Sequence, residues 1–112
     1  MVGLNERLRF LRYEEGDYFK PHLDGAYTRP DQTEQSQITV QLYLNDGFEG
    51  GETTFFSPCM KNKVAVVPKP GKVLIFQHQL LHEGSVLKSG QKYSMRTDVM
   101  YKTGLAIVGK QD

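Results

Sequence analysis

Apolar and polar residues alternate over short stretches of this chain, which is the pattern of half-buried β-strands. The clearest example is residues 37–45, where every second side chain is aliphatic and those between are polar or aromatic, before Asp46-Gly47 turns the chain. Similar patterns between turn residues predict seven further strands, at residues 8–13, 19–24, 52–56, 63–68, 72–78, 82–87 and 91–101. The sequence therefore predicts an all-β fold, either a two-sheet jelly roll or a small barrel.

The polar stretch at residues 26–36 separates two of these strands and is predicted to form a long loop. With 112 residues, the chain fits a single domain spanning residues 1–112. Its 14 Lys and Arg residues nearly balance 13 Asp and Glu residues, so no charge excess favours nucleic acid or an anionic membrane. The longest apolar runs, at residues 64–67 and 73–76, fall far short of the roughly 20 residues that cross a bilayer.

The chain has one cysteine, Cys59. A single cysteine cannot form a disulfide within the chain, so the disulfide framework of small secreted domains is excluded. A reducing compartment, the cytoplasm, is therefore favoured. We interpret Cys59 itself as an inert thiol in a loop.

The three histidines suggest a metal site. His22 and Asp24 are two residues apart in a predicted strand, so their side chains share a face and can reach one ion. A third ligand must come from elsewhere. His82 is favoured because it opens a predicted strand, whereas His78, four residues earlier, is assigned a structural or rim role. Two imidazoles and one carboxylate form the facial triad of non-haem Fe(II) sites, which leaves positions open for substrate chemistry.

Two cationic residues follow His82 on one predicted strand. Lys92 and Arg96 are four residues apart, so they share a face that also carries Ser94 and Asp98. Buried cations require an anionic partner. The pair therefore indicates an anion site, unless the two side chains face solvent or pair with Asp98 or Glu52.

Six short motifs occur in order between residues 8 and 102. They are Y-x2-G-x4-P-H-x-D at 13–24, Y-L-N at 43–45, G-G-E-T-x-F at 50–55, P-G at 70–71, H-E-G at 82–84 and G-x-K-Y at 90–93. In this order they resemble the Fe(II)- and 2-oxoglutarate-dependent dioxygenases, in the prolyl 4-hydroxylase-like branch. The resemblance implies a double-stranded β-helix, a cupin-like jelly roll, with His22, Asp24 and His82 holding iron in its mouth.

The resemblance also implies a residue for the distal carboxylate of 2-oxoglutarate. Lys92 lies ten residues after His82, where this branch places its basic residue. Arg96 remains an alternative, because a guanidinium meets a carboxylate with two parallel hydrogen bonds. Position favours Lys92 and hydrogen-bonding chemistry favours Arg96.

Four further residues are predicted to bind 2-oxoglutarate. Tyr43 matches a family tyrosine that helps hold the distal carboxylate, and Tyr13 matches one near the iron-bound end of the cosubstrate. Thr39 and Gln41 share the strand face of Tyr43, so we expect them to line the same pocket.

The function implied is oxidative decarboxylation of 2-oxoglutarate, with dioxygen and with ascorbate as a helper, coupled to hydroxylation of a C–H bond. The family default is a prolyl residue of a protein or peptide, and a small-molecule substrate stays open. The alternative is a cupin-like metal-binding or interaction module without oxygenase activity. Family members carry supporting helices and strands before the equivalent of Leu8, where this chain has seven residues, so those helices are largely missing and a truncated, inactive fragment is a third alternative.

Overall fold

The computed structural model describes residues 1–104, and residues 105–112 lie outside that range. Within it the chain is all-β, as predicted, and none of the described residues forms a helix long and apolar enough to cross a membrane. The strands are β1 (Gly3–Leu4), β2 (Arg9–Tyr13), β3 (Phe19–His22), β4 (Glu34–Tyr43), β5 (Glu49–Gly50), β6 (Thr53–Phe56), β7 (Lys63–Val66), β8 (Val73–Gln77), β9 (His82–Gly84), β10 (Leu87–Ser89) and β11 (Lys92–Lys102).

Antiparallel pairing arranges these strands in two main sheets. The larger sheet has the order β1-β11-β4-β8, with β2 also paired to β11, and the smaller has the order β3-β9-β6-β7. The short strands β10 and β5 form a separate pair. Neighbouring strands are mostly distant in sequence, which is the connectivity of a jelly roll.

The pairing of β4 with β11 places the polar residues of both strands on one face. Gln41 faces Arg96, Thr39 faces Asp98 and Tyr43 faces Ser94 across the ladder. All six of these side chains are buried or half-buried on the side that meets the smaller sheet, and Tyr43 is 1% exposed. The interior of the jelly roll is therefore lined by chemistry-bearing groups more than by aliphatic packing.

Three local predictions differ from the structure. The strand predicted at residues 82–87 is divided into β9 and β10, because the chain leaves one sheet and joins another pair there. The loop predicted at 26–36 ends early, since β4 begins at Glu34 and the Arg29 side chain donates to the Glu34 carboxylate at 2.8 Å. The strand predicted at 19–24 ends at His22, so Asp24 lies beyond it.

Candidate metal centre and pocket

His22, Asp24 and His82 converge at one end of the smaller sheet. His22 ends β3 and His82 begins β9, and the two residues are direct partners in the antiparallel pairing. Asp24 follows β3, and its Oδ1 atom lies 3.3 Å from Nε2 of His22 and 3.4 Å from Nε2 of His82. The candidate ligand atoms all lie within 4.8 Å of one another. Strand pairing, more than a shared strand face, brings the three side chains together.

Backbone carbonyls orient the two imidazoles. Nδ1 of His22 donates to the Lys20 carbonyl at 2.7 Å, and Nδ1 of His82 donates to the Leu80 carbonyl at 2.8 Å. A carbonyl only accepts hydrogen bonds, so Nδ1 carries the proton in each ring and Nε2 is left with its lone pair. Two imidazole nitrogens and one carboxylate oxygen therefore face a common point. This donor set fits a non-haem divalent metal ion such as Fe(II).

Aromatic rings hold the two histidines in place. The ring centroid of His82 lies 4.7 Å from that of Phe76 and 5.7 Å from that of Phe55. Phe19 packs on His22 with a centroid distance of 4.1 Å. The rings of Phe55 and Phe76 also contact each other, with their centroids 4.9 Å apart. Apolar packing thus restricts ring rotation at the site.

Asp24 is held as a carboxylate. Its side chain is 1% exposed, Oδ2 accepts a hydrogen bond from the Thr39 hydroxyl at 2.6 Å, and Nη1 of Arg96 lies 3.4 Å from Oδ1. Burial opposes ionisation, but the hydrogen bond from Thr39 and the charge of Arg96 favour the carboxylate, and the pKa of Asp24 lies well below its usual range. The Asp24 side chain therefore carries a negative charge at neutral pH.

Lys92 lies in the interior beside two tyrosines. Its Nζ donates to the Gly51 carbonyl at 2.7 Å and lies 4.7 Å from the centre of the Tyr13 ring and 5.6 Å from that of Tyr43. Burial lowers the pKa of Lys92 to about 8, and the charge of Glu52 offsets part of that effect. An ammonium has three donors, so two remain for an anion.

A cavity of about 50 Å³ is lined by His22 and His82 and by the two cations, Lys92 and Arg96. Arg96 borders it beside the carboxylates, with Nη1 near Asp24 and Nη2 3.8 Å from Oδ1 of Asp98. Arg96 therefore already has acidic neighbours, whereas Lys92 contacts a neutral carbonyl. The lining comprises Leu11, Tyr13, Phe19, His22, Gln41, Thr53, His82, Glu83, Gly84, Lys92, Ser94 and Arg96.

The other residues predicted for the pocket fall into two groups. Tyr13 and Gln41 line the cavity. Tyr43 does not line it, and its hydroxyl is bonded to Oγ1 of Thr53, which does, at 2.6 Å. Thr39 does not line it. Its hydroxyl donates a hydrogen bond to Oδ2 of Asp24 instead. Thr53 was not among the predicted site residues, although it lies within the G-G-E-T-x-F motif.

His78 lies behind Asp24 and not at the rim, since it is 4% exposed. Its Nδ1 is 2.8 Å from Oγ1 of Thr39, and its Nε2 is 2.8 Å from Oγ of Ser36. Burial lowers the pKa of His78, and the charges of Asp98 and Asp24 oppose that shift. His78 is thus separated from the ion position by Thr39 and Asp24.

Comparison with known proteins gives one consistent family. The model of the 2OG-Fe(II) oxygenase superfamily matches residues 8–97. Probable prolyl 4-hydroxylase 10 of Arabidopsis thaliana is 31% identical over 119 residues, covering 83% of this chain and 41% of the relative. Probable prolyl 4-hydroxylase 11 of the same plant is 40% identical over 74 residues, covering 63% of this chain and 24% of the relative. This chain therefore spans well under half the length of these relatives.

Solved structures agree on the fold. A prolyl-4-hydroxylase from Pseudomonas putida superposes with a TM-score of 0.67 at 24% identity, covering 93% of this chain and 56% of that one. The viral collagen prolyl hydroxylase of Paramecium Bursaria Chlorella virus-1, solved as a 2OG complex, gives a TM-score of 0.55 at 27% identity, covering 85% of this chain and 61% of that one. The double-stranded β-helix predicted from the sequence is the fold of these proteins.

Proposed function

This chain belongs to the 2OG-Fe(II) oxygenase superfamily, and on that premise we propose that it is a dioxygenase acting on prolyl residues of a protein or peptide. The single observation that carries the proposal is the convergence of His22, Asp24 and His82 beside a cavity that holds a buried lysine. The curated relatives are named as prolyl 4-hydroxylases, which supports the substrate class. Fe(II) and 2-oxoglutarate are the metal and cosubstrate.

The residues of the chain divide the work. His22, Asp24 and His82 would hold Fe(II), which when bound supplies the redox chemistry with dioxygen and 2-oxoglutarate. The ammonium of Lys92 would meet the distal carboxylate of 2-oxoglutarate, near the ring of Tyr43. The electrostatic attraction between the ammonium and the carboxylate is stronger in the buried pocket than it would be in water. The closely packed interior around them also limits access of water to the site.

Succinate formation tests this function. The chain is incubated with Fe(II), ascorbate, 2-oxoglutarate and dioxygen, with and without proline-containing peptides. We expect slow succinate release alone, faster release with a productive peptide, and a peptide product heavier by one oxygen atom. The matched control peptide carries Ala in place of the proline. Metal binding without any consumption of 2-oxoglutarate would instead identify a metal-binding module.

The low pKa of Lys92 predicts a pH dependence. The residue binds a carboxylate only as an ammonium, and its pKa in the free chain is about 8. We expect kcat/KM for 2-oxoglutarate to fall as pH rises through that value, because the lysine then loses its charge. At saturating 2-oxoglutarate, the decrease in kcat should begin at a higher pH than the decrease in kcat/KM, because the bound dianion raises the pKa of the lysine. A free lysine has a pKa of roughly 10.4 and stays charged up to about pH 9.5. A value of kcat/KM that does not change between pH 7 and about 9.5 would therefore contradict this role of Lys92.

A further inference from the structure

We infer that Thr39 and His78 are positioning residues that fix Asp24 through a one-way chain of hydrogen bonds, from Ser36 to His78 to Thr39 to Asp24. The chain lies on the side of Asp24 that faces away from the pocket. The inference deepens the proposed function and rests on it only for the identity of the ion that Asp24 holds.

The direction of each bond follows from what each group can donate. Asp24 is a carboxylate and can only accept, so the Thr39 hydroxyl at 2.6 Å must give its single proton to Oδ2. Thr39 then has no proton left for His78, and Nδ1 of His78 at 2.8 Å must be the donor. In the neutral ring Nε2 accepts, and the Ser36 hydroxyl at 2.8 Å donates to it. One tautomer of His78 satisfies all three bonds.

The surroundings of these hydrogen bonds hold the four side chains in place. Ser36, Thr39 and His78 are at most 4% exposed, which limits the access of water to their hydrogen bonds, and Ser36 and His78 border a second cavity of about 520 Å³. The Tyr27 backbone N–H donates to Oγ of Ser36 at 2.8 Å, which occupies one lone pair of that oxygen. The backbone N–H of Asp24 also donates to the His78 carbonyl at 3.1 Å. His78 therefore holds Asp24 through both its side chain and its main chain.

A second carboxylate near His78 does not displace this arrangement. Oδ1 of Asp98 lies 3.9 Å from Nε2 of His78, which is beyond hydrogen-bond distance. Among residues 1–104 that atom is buried without a hydrogen-bond partner. Ser36, at 2.8 Å, is the nearer partner of Nε2.

The consequence concerns the geometry of metal binding. A carboxylate can bind a cation through one oxygen or through both. Because Oδ2 of Asp24 accepts from Thr39, Oδ1 alone is turned toward Nε2 of His22 and Nε2 of His82. Binding through one oxygen leaves more coordination positions open for substrates. Thr39 and His78 thus preserve the open positions without touching the ion.

A first measurement needs neither metal nor activity. The ¹⁵N chemical shifts of the His78 ring in the metal-free chain report which nitrogen is protonated. We expect the Nδ1–H tautomer in the unaltered chain and in Thr39→Ser, and a loss of that preference in Thr39→Val. An Nε2–H tautomer in the unaltered chain would overturn the inference.

A second measurement uses Mn(II) as the probe and two matched pairs of variants. Thr39→Val removes the hydroxyl at nearly constant volume, whereas Thr39→Ser keeps it. His78→Leu removes the Nδ1–H donor. His78→Asn instead places an amide N–H close to the position of Nδ1. We expect Thr39→Val and His78→Leu each to weaken Mn(II) binding roughly 10- to 100-fold, which is the usual effect of losing a group that supports a metal ligand. The second member of each pair should restore most of the affinity.

Coupling between the two sites completes the test. If Thr39 and His78 act in series, the double variant Thr39→Val/His78→Leu binds Mn(II) no more weakly than Thr39→Val does. Fully additive losses would contradict the inference, as would equal affinities within both pairs. Should Thr39→Val fail to fold, the two His78 variants still give the answer. Mn(II) binding that follows this pattern in a chain that forms no succinate would refute the proposed function and keep the inference.

Discussion

Asp24→Asn is expected to abolish both Fe(II) binding and succinate formation while leaving the chain folded. The new side chain has nearly the same volume, and its carbonyl oxygen can still accept the hydrogen bond from Thr39 that Oδ2 now accepts. Its amide nitrogen then takes the place of Oδ1, 3.3 Å and 3.4 Å from the two histidines, and has no lone pair for a metal. The loss should exceed the roughly 10- to 100-fold that removal of an outer supporting group causes.

Asp98→Asn is the matched control for this variant. Asp98 is also an interior carboxylate, half-buried where Asp24 is buried, and it lies 3.8 Å from Arg96, but it is not one of the three convergent side chains. We expect it to bind Fe(II) nearly as well as the unaltered chain, by calorimetric titration under anaerobic conditions. Equal losses in the two variants would mean that general interior charge, and not ligation by Asp24, controls metal binding.

Lys92→Met is expected to produce the largest loss of affinity for 2-oxoglutarate. Removing one partner of a buried ion pair costs about 3–5 kcal/mol. At 1.4 kcal/mol per factor of ten, that corresponds to a rise in Kd of roughly 10²- to 4 × 10³-fold. Methionine keeps most of the volume of the lysine, so packing against Tyr13 and Tyr43 is retained. The Kd is measured by titrating 2-oxoglutarate into the Mn(II)-loaded chain, and Mn(II) affinity itself should be nearly unchanged.

Arg96→Met distinguishes the two cations. Arg96 already lies 3.4 Å from Asp24 and 3.8 Å from Asp98, so its charge is largely compensated within the chain. We expect its replacement to weaken 2-oxoglutarate binding by less than about tenfold, or 1.4 kcal/mol. A larger loss in Arg96→Met than in Lys92→Met would reverse the assignment and make the guanidinium the anchor.

Much of the fold could be predicted because apolar and polar residues alternate regularly along several strands. The stretch at residues 37–45 predicts both β4 and its polar inner face, and Thr39, Gln41 and Tyr43 do share that face. The end of β3 was harder to predict. Nothing in P-H-L-D indicates that the chain leaves the ladder at His22, because that depends on pairing with β9, about sixty residues later in the sequence.

The site shows the same division. The sequence predicts which residues would carry the chemistry, because His22, Asp24, His82 and Lys92 lie within motifs that occur in the order of the family. It does not indicate what lies behind them. His78 and Ser36 are 42 residues apart, and their contact with each other depends on the folded arrangement of β4 and the turn after β8. Thr39 was predicted on the correct face but its partner, Asp24, could not be identified without the fold.

The most direct test of the central claim is the visible absorption of the Fe(II)-loaded chain when 2-oxoglutarate is added without oxygen. If His22, Asp24 and His82 hold iron next to the Lys92 pocket, a weak charge-transfer band appears on addition and is absent from the Asp24→Asn variant. A chain that binds Fe(II) and 2-oxoglutarate but gives no band, or a band that survives in Asp24→Asn, would contradict the arrangement described for this site.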